Sequence, residues 1–150
     1  TWLGPNIIFD QILRNMIWES IFLKYCDYAK TKLNVSDITI FVNEEQESLF
    51  EKIDFFVDGC VFIEDDWTII DLYTESYDRY DLLLCVLIHE IGHVICWNKY
   101  GYDHTEEDAW DNGGSILEQN EIPECFDLVK VEALSSYARI AKISEHEFWR

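Results

Sequence analysis

One segment constrains this chain more than any other. His89-Glu90-Ile91-Gly92-His93 follows directly on the apolar run Leu82-Leu83-Leu84-Cys85-Val86-Leu87-Ile88. An unbroken apolar run of this kind predicts a buried helix, over residues 80–100. Gly101 supplies the usual stop. Two imidazoles and a carboxylate inside such a helix are costly unless something compensates them. The i, i+4 spacing sends His89 and His93 from one face, so both can reach a single Zn²⁺ at about 2.0–2.1 Å. Glu90, beside the first of them, is placed to take a proton from water. The bland alternative is a hydrogen-bonded pair of core histidines.

A catalytic zinc needs a third protein ligand and one open position. The longer pattern HExxHxxGxxH is absent, because Cys96 and Lys99 occupy its glycine and third histidine. The next donors along the chain are His104, Glu106, Glu107 and Asp111. Thr105 predicts an N-cap with Asp108 three residues on, and a helix from there to about residue 118. On that helix Glu106 shares a face with Ala109, Trp110 and Gly113, the apolar side, so Glu106 is the acid expected to turn inward. Glu107 and Asp111 share the other face. A simple antiparallel return of the second helix would bring Asp111 closer to the level of His93, which makes it the second choice. Cys85, His89, His93 and Cys96 also form one stripe, but both cysteines read more simply as small core residues. Tyr102 and His104, in the loop between the two helices, are the nearest candidates to donate to an oxyanion.

Around this motif the chain reads as one α+β domain over residues 1–150. Helical periodicity over residues 6–33 involves Ile7, Ile8, Ile12, Ile17, Ile21, Phe22 and Tyr25. Residues 38–42 form a β-branched strand, 44–53 a short helix, and 55–64 with 67–73 a hairpin split at Asp65-Asp66. Pro123 opens a last helix through about residue 141. The expected sheet is small and antiparallel. Its last strand, residues 67–73, is expected at an edge, where a peptide substrate could add as another strand. His146-Glu147 repeats half the motif and reads as a surface tail.

Charge narrows the partners. Thirty Asp and Glu against eleven Lys and Arg give a formal charge of −19, so nucleic acid and anionic membranes are expected to be repelled. No uninterrupted apolar stretch approaches the roughly 18 residues of a membrane span. Five cysteines without a CxxC spacing, and no evident secretory leader, lead to an expectation of reduced thiols in a cytoplasmic compartment.

The HEIGH motif followed by a helix opening Glu106-x-x-Ala109 resembles the minimal zincins of the ImmA/IrrE type, common in phages and mobile elements. There HExxH lies on one helix and a Glu-x-x-Ala-Asn helix carries the third ligand, with a β-hairpin before the motif helix. The resemblance spans roughly residues 59–117. It implies a zincin-like fold, zinc held by His89, His93 and Glu106, Glu90 as base, and a protein or peptide substrate, cleaved in the host cytoplasm if the source is viral. The chain departs from the pattern at Trp110, which stands where the family has Asn, and in a short gap between His93 and Glu106. The contrasting expectation is a non-enzymatic acidic binder, a nucleic-acid mimic or an inhibitor of a basic protein, whose support is the charge alone.

Overall fold

The computed structural model describes residues 5–48, 50 and 52–141, with the backbone alone for 5–7 and 137–141. His146 and Glu147 lie outside the described residues. In chain order the elements are α1 (Pro5–Lys32), β1 (Asp37–Val42), β2 (Val57–Ile63), β3 (Thr68–Thr74), α2 (Tyr80–Tyr100), α3 (Glu106–Gly114), a 3-10 turn (Gln119–Glu121) and α4 (Phe126–Ala141). The α+β class expected from the sequence is what forms.

Helix α2 is the centre of the molecule. Every residue from Leu82 to Val94 is buried, as a helix apolar all round requires. Over an averaged window it is long and apolar enough to cross a membrane, although 78% of that window is buried within the fold. The sheet covers one side of α2 and α1 another, while α3 and α4 close the rest. From α1, Phe22, Tyr25 and Ala29 enter the core at the i, i+3, i+7 spacing of one helical stripe. The N-terminal half of the expected stripe does not follow them: Ile8, Ile12 and Ile17 are exposed, with Phe9, Leu13 and Met16 beside them.

The sheet corrects the expected topology. Its strand order is β1-β3-β2, with β3 in the middle. β2 and β3 form the predicted antiparallel hairpin, Gly59 opposite Leu72, but β1 runs parallel to β3, with Ile38 opposite Ile70. The sheet is therefore mixed, and the strand expected at an edge is paired on both sides. The proposal that substrate adds along residues 67–73 falls with that pairing.

The same topology explains why the described residues of 44–53 do not form the expected helix. Val42 and Val57 both pair with Thr74, so the link between β1 and β2 must pass around the end of β3. Two strand spacings, about 10 Å, have to be crossed. The backbone is held by Asn43 N–H to Thr74 O at 2.9 Å and Glu75 N–H to Phe56 O at 3.2 Å. Phe50, Ile53, Phe55 and Phe56 are buried beneath the link, a pattern that follows the sheet margin and not a helical face.

Inward-facing residues alternate along the strands as a half-buried sheet demands: Val57, Gly59 and Val61 on β2, Ile70, Leu72 and Thr74 on β3. Gly59 is needed for closeness. A Cβ there would stand 2.7 Å from Val86 Cγ1 and 3.1 Å from Glu90 Cγ. Edge strand β2 therefore lies directly against α2 at the level of the motif.

Candidate metal centre

Helices α2 and α3 meet almost backbone to backbone. A Cβ on Gly92 would fall 1.8 Å from the Ala109 carbonyl oxygen, and one on Gly113 would fall 2.1 Å from that of Ile88. These contacts set an antiparallel register, with Ala109 beside Gly92 and Gly113 beside Ile88. Residues 101–105 make the reversal. Gly101 takes φ 64°, ψ −133°, a conformation that residues with a Cβ rarely adopt. Thr105 then caps α3 through the predicted box: its Oγ1 accepts from Asp108 N–H at 3.0 Å and its own N–H donates to Asp108 Oδ2 at 2.9 Å. The first turn of α3 is acidic throughout, as the helix dipole favours, and its inward member is Glu106.

Glu106 Oε2 lies 3.0 Å from His89 Nε2 and 2.9 Å from His93 Nε2. The donor atoms of these three residues all fall within 4.8 Å of one another, in reach of a single metal ion. The site is nearly closed. His89, Glu90 and His93 are all buried, whereas the Glu106 side chain keeps 19% of its surface open. Glu90 Oε1 stands 4.0 Å from His89 Nε2, beside the cluster but outside its shared contact. The His89 ring stacks on Trp110 at 4.4 Å and 23°, so the indole holds one face of that imidazole.

Electrostatics favours a cation here. Burial lowers the His93 pKa to about 4, against the smaller opposing pull of Glu106, so the ring is neutral at pH 7. Burial also pushes the Glu106 carboxyl up, but the adjoining rings of His89 and His93 outweigh it and bring the value down to about 2. A carboxylate and a neutral imidazole then converge in an interior where an uncompensated charge is costly. The donor set, two imidazole nitrogens and one carboxylate oxygen, suits zinc. Tetrahedral ligands at about 2.0–2.1 Å stand about 3.3 Å apart, so the two contacts of Glu106 with the histidines would need to open by only a few tenths of an ångström.

The other predicted residues do not join the three-residue cluster. Asp111 is exposed and pairs with Lys130 at 2.8 Å, and Glu107 is exposed. Tyr102 is 76% exposed, with its ring edge-on to Trp97 at 4.4 Å. His104 turns inward: its Nε2 lies 2.9 Å from His93 Nδ1, and its Nδ1 lies 2.9 Å from Gly101 O. Of the two cysteines on the α2 stripe, Cys85 has its sulfur 4.0 Å from that of Cys125, and Cys96 is buried; neither belongs to the cluster. Two features escaped the reading of the sequence. One is the stacking of Trp110 on His89. The other is the glycine contact that seats α3, whose signal was present as Gly92 and Gly113 inside helical segments, where glycine is otherwise unfavourable.

No family model matches the chain, and neither curated proteins nor solved structures show a significant match to it.

Proposed function

We propose that this protein is a zinc-dependent metallopeptidase of the minimal zincin kind, similar to the ImmA/IrrE type, acting on a protein or peptide substrate. The observation that carries the reading is the convergence of His89 Nε2, His93 Nε2 and Glu106 Oε2 beside the carboxylate of Glu90. His89, His93 and Glu106 would hold the ion. When bound, zinc supplies a Lewis acid for the scissile carbonyl and lowers the pKa of water toward 7. Glu90 accepts the proton of the attacking water on its carboxylate and passes it to the leaving amide nitrogen. Burial around Glu90 and the His89–Trp110 stack exclude bulk water from that transfer. Trp110, which departs from the family pattern, serves here as the wall behind the first histidine.

Substrate is proposed to lie along β2, not β3. β2 is an edge of the sheet, and Gly59 brings it against Glu90. An extended peptide can add to its open side as a further strand, which positions a carbonyl through main-chain bonds.

The test is hydrolysis of a denatured protein mixture by zinc-reconstituted enzyme, read by mass spectrometry of the new termini. New cleavages that vanish in Glu90→Gln support the reading. No cleavage above that variant, or cleavage that survives in it, overturns the enzymatic assignment.

A further inference from the structure

The geometry assigns His104 a positioning role: it fixes the tautomer of His93, so that His93 Nε2 is left unprotonated and aimed at the metal position. This rests on the zinc reading for its purpose, and on hydrogen-bond geometry for its content. The chain of contacts starts at Gly101. A backbone carbonyl can only accept, so the 2.9 Å contact from His104 Nδ1 to Gly101 O places the His104 proton on Nδ1. A neutral imidazole carries one N–H, which leaves His104 Nε2 as an acceptor. The atom facing it at 2.9 Å is His93 Nδ1, and that nitrogen must be the donor. With its single proton on Nδ1, His93 presents a lone pair at Nε2, the atom that faces Glu106 Oε2 at 2.9 Å. Two acceptors at that distance are mutually repulsive unless a cation lies between them.

The backbone supports this order. The unusual conformation of Gly101 sits at the turn where its carbonyl meets His104, and His104 N–H also donates to Tyr102 O at 2.9 Å. The loop thus holds His104 by its backbone and by one ring nitrogen. Ligating histidines generally donate their second ring N–H to an outer partner, which fixes ring orientation and raises basicity. Here that partner is another histidine. On this assignment both ring nitrogens of His104 are engaged, which argues against the oxyanion role expected for it from the sequence.

The experiment uses the full chain labelled with ¹⁵N-histidine, metal-free and zinc-loaded, at neutral pH. Long-range ¹H–¹⁵N spectra should show His93 protonated at Nδ1 in both states. In His104→Leu, which cannot accept, the metal-free protein should move that proton to Nε2, and zinc affinity by chelator competition should fall about 10- to 100-fold. His104→Gln, whose amide oxygen can accept in the same place, should recover affinity to within a few-fold of wild type. An Nε2–H tautomer in metal-free wild type, wild-type zinc affinity in His104→Leu, or equal loss in both variants would overturn the assignment. The two readings fail separately. A wild-type protein with the Nδ1–H tautomer that binds no zinc refutes the metallopeptidase and supports the His104 contact. Zinc binding that is unaffected in His104→Leu does the reverse.

Discussion

Gly92 and Ala109 touch through the space a side chain would fill: a methyl group on the glycine would sit 1.8 Å from the alanine carbonyl oxygen. That contact, with its counterpart at Gly113, puts α3 close enough for Glu106 to reach two imidazoles on α2. Gly92→Ala should therefore push the helices apart. The expected loss is about 3 kcal/mol, at the upper end for overpacking, or roughly 6–12 °C in Tm for a chain of this size. Zinc affinity should fall in the folded fraction as well. Gly114→Ala is the control, since the added methyl meets only the far edge of the Phe126 ring at 3.1 Å. Equal Tm values for the two variants would contradict the close-packing account.

Glu106 is expected to be the third ligand. Protein purified without added metal and then reconstituted should hold one zinc per chain. Glu106→Ala should weaken that affinity by at least about 100-fold, in line with losing a direct ligand from a site whose outer partners alone contribute 10- to 100-fold. Glu107→Ala and Asp111→Ala should bind as wild type, because both acids are exposed and Asp111 is engaged by Lys130. Chelator competition across the three variants measures this, and a comparable loss in Asp111→Ala would move the assignment.

Glu90→Gln should keep its zinc and lose about 10²- to 10⁴-fold in kcat, the range for removing a general base. The carboxylate lies beside the cluster and not within it, so affinity and rate separate. Loss of metal in this variant would make Glu90 a ligand instead.

Away from the site, Glu121 should govern acid stability. Its carboxylate is buried and accepts from Lys24 Nζ at 2.5 Å, from the Tyr25 hydroxyl and from Glu118 N–H at 2.9 Å. Burial works to raise its pKa, but these bonds outweigh burial and leave it below the usual carboxylate value. With the folded pKa depressed, the unfolded chain takes up the proton first. The stabilisation is complete above the unfolded carboxylate pKa and is lost as pH falls toward the folded one. Glu121→Gln should cost about 1–3 kcal/mol at pH 7 and flatten the acid limb of a Tm-against-pH curve. An unchanged acid limb would place the sensitivity on another group.

Much of this was legible from residue order. The apolar run before His89 foretold a buried helix, Thr105 and Asp108 foretold the cap of α3, and the apolar neighbours of Glu106 foretold which acid turns inward. What escaped the sequence was non-local. Nothing in residues 38–42 says that their neighbour will be β3 and not β2, because pairing partners depend on how the 43–56 link is routed. The apolar residues of that link resemble a helical stripe until the sheet margin they cover is known. Trp110 looked like one more core residue, since its role depends on His89 being opposite it across a helix interface. The exposed half of α1 shows the same limit: periodicity marks a face as apolar without supplying anything to bury it.

Of His89, Glu90, His93 and Glu106, only Glu106 keeps appreciable contact with solvent, while the two histidines and Glu90 are sealed. An ion held there would therefore arrive and leave past the Glu106 carboxylate. Loading and release would then be slowed together, and a chelator would strip the metal at a rate independent of chelator concentration. Shortening the side chain, as in Glu106→Asp, would speed exchange in both directions, making the ligand that completes the site also its latch.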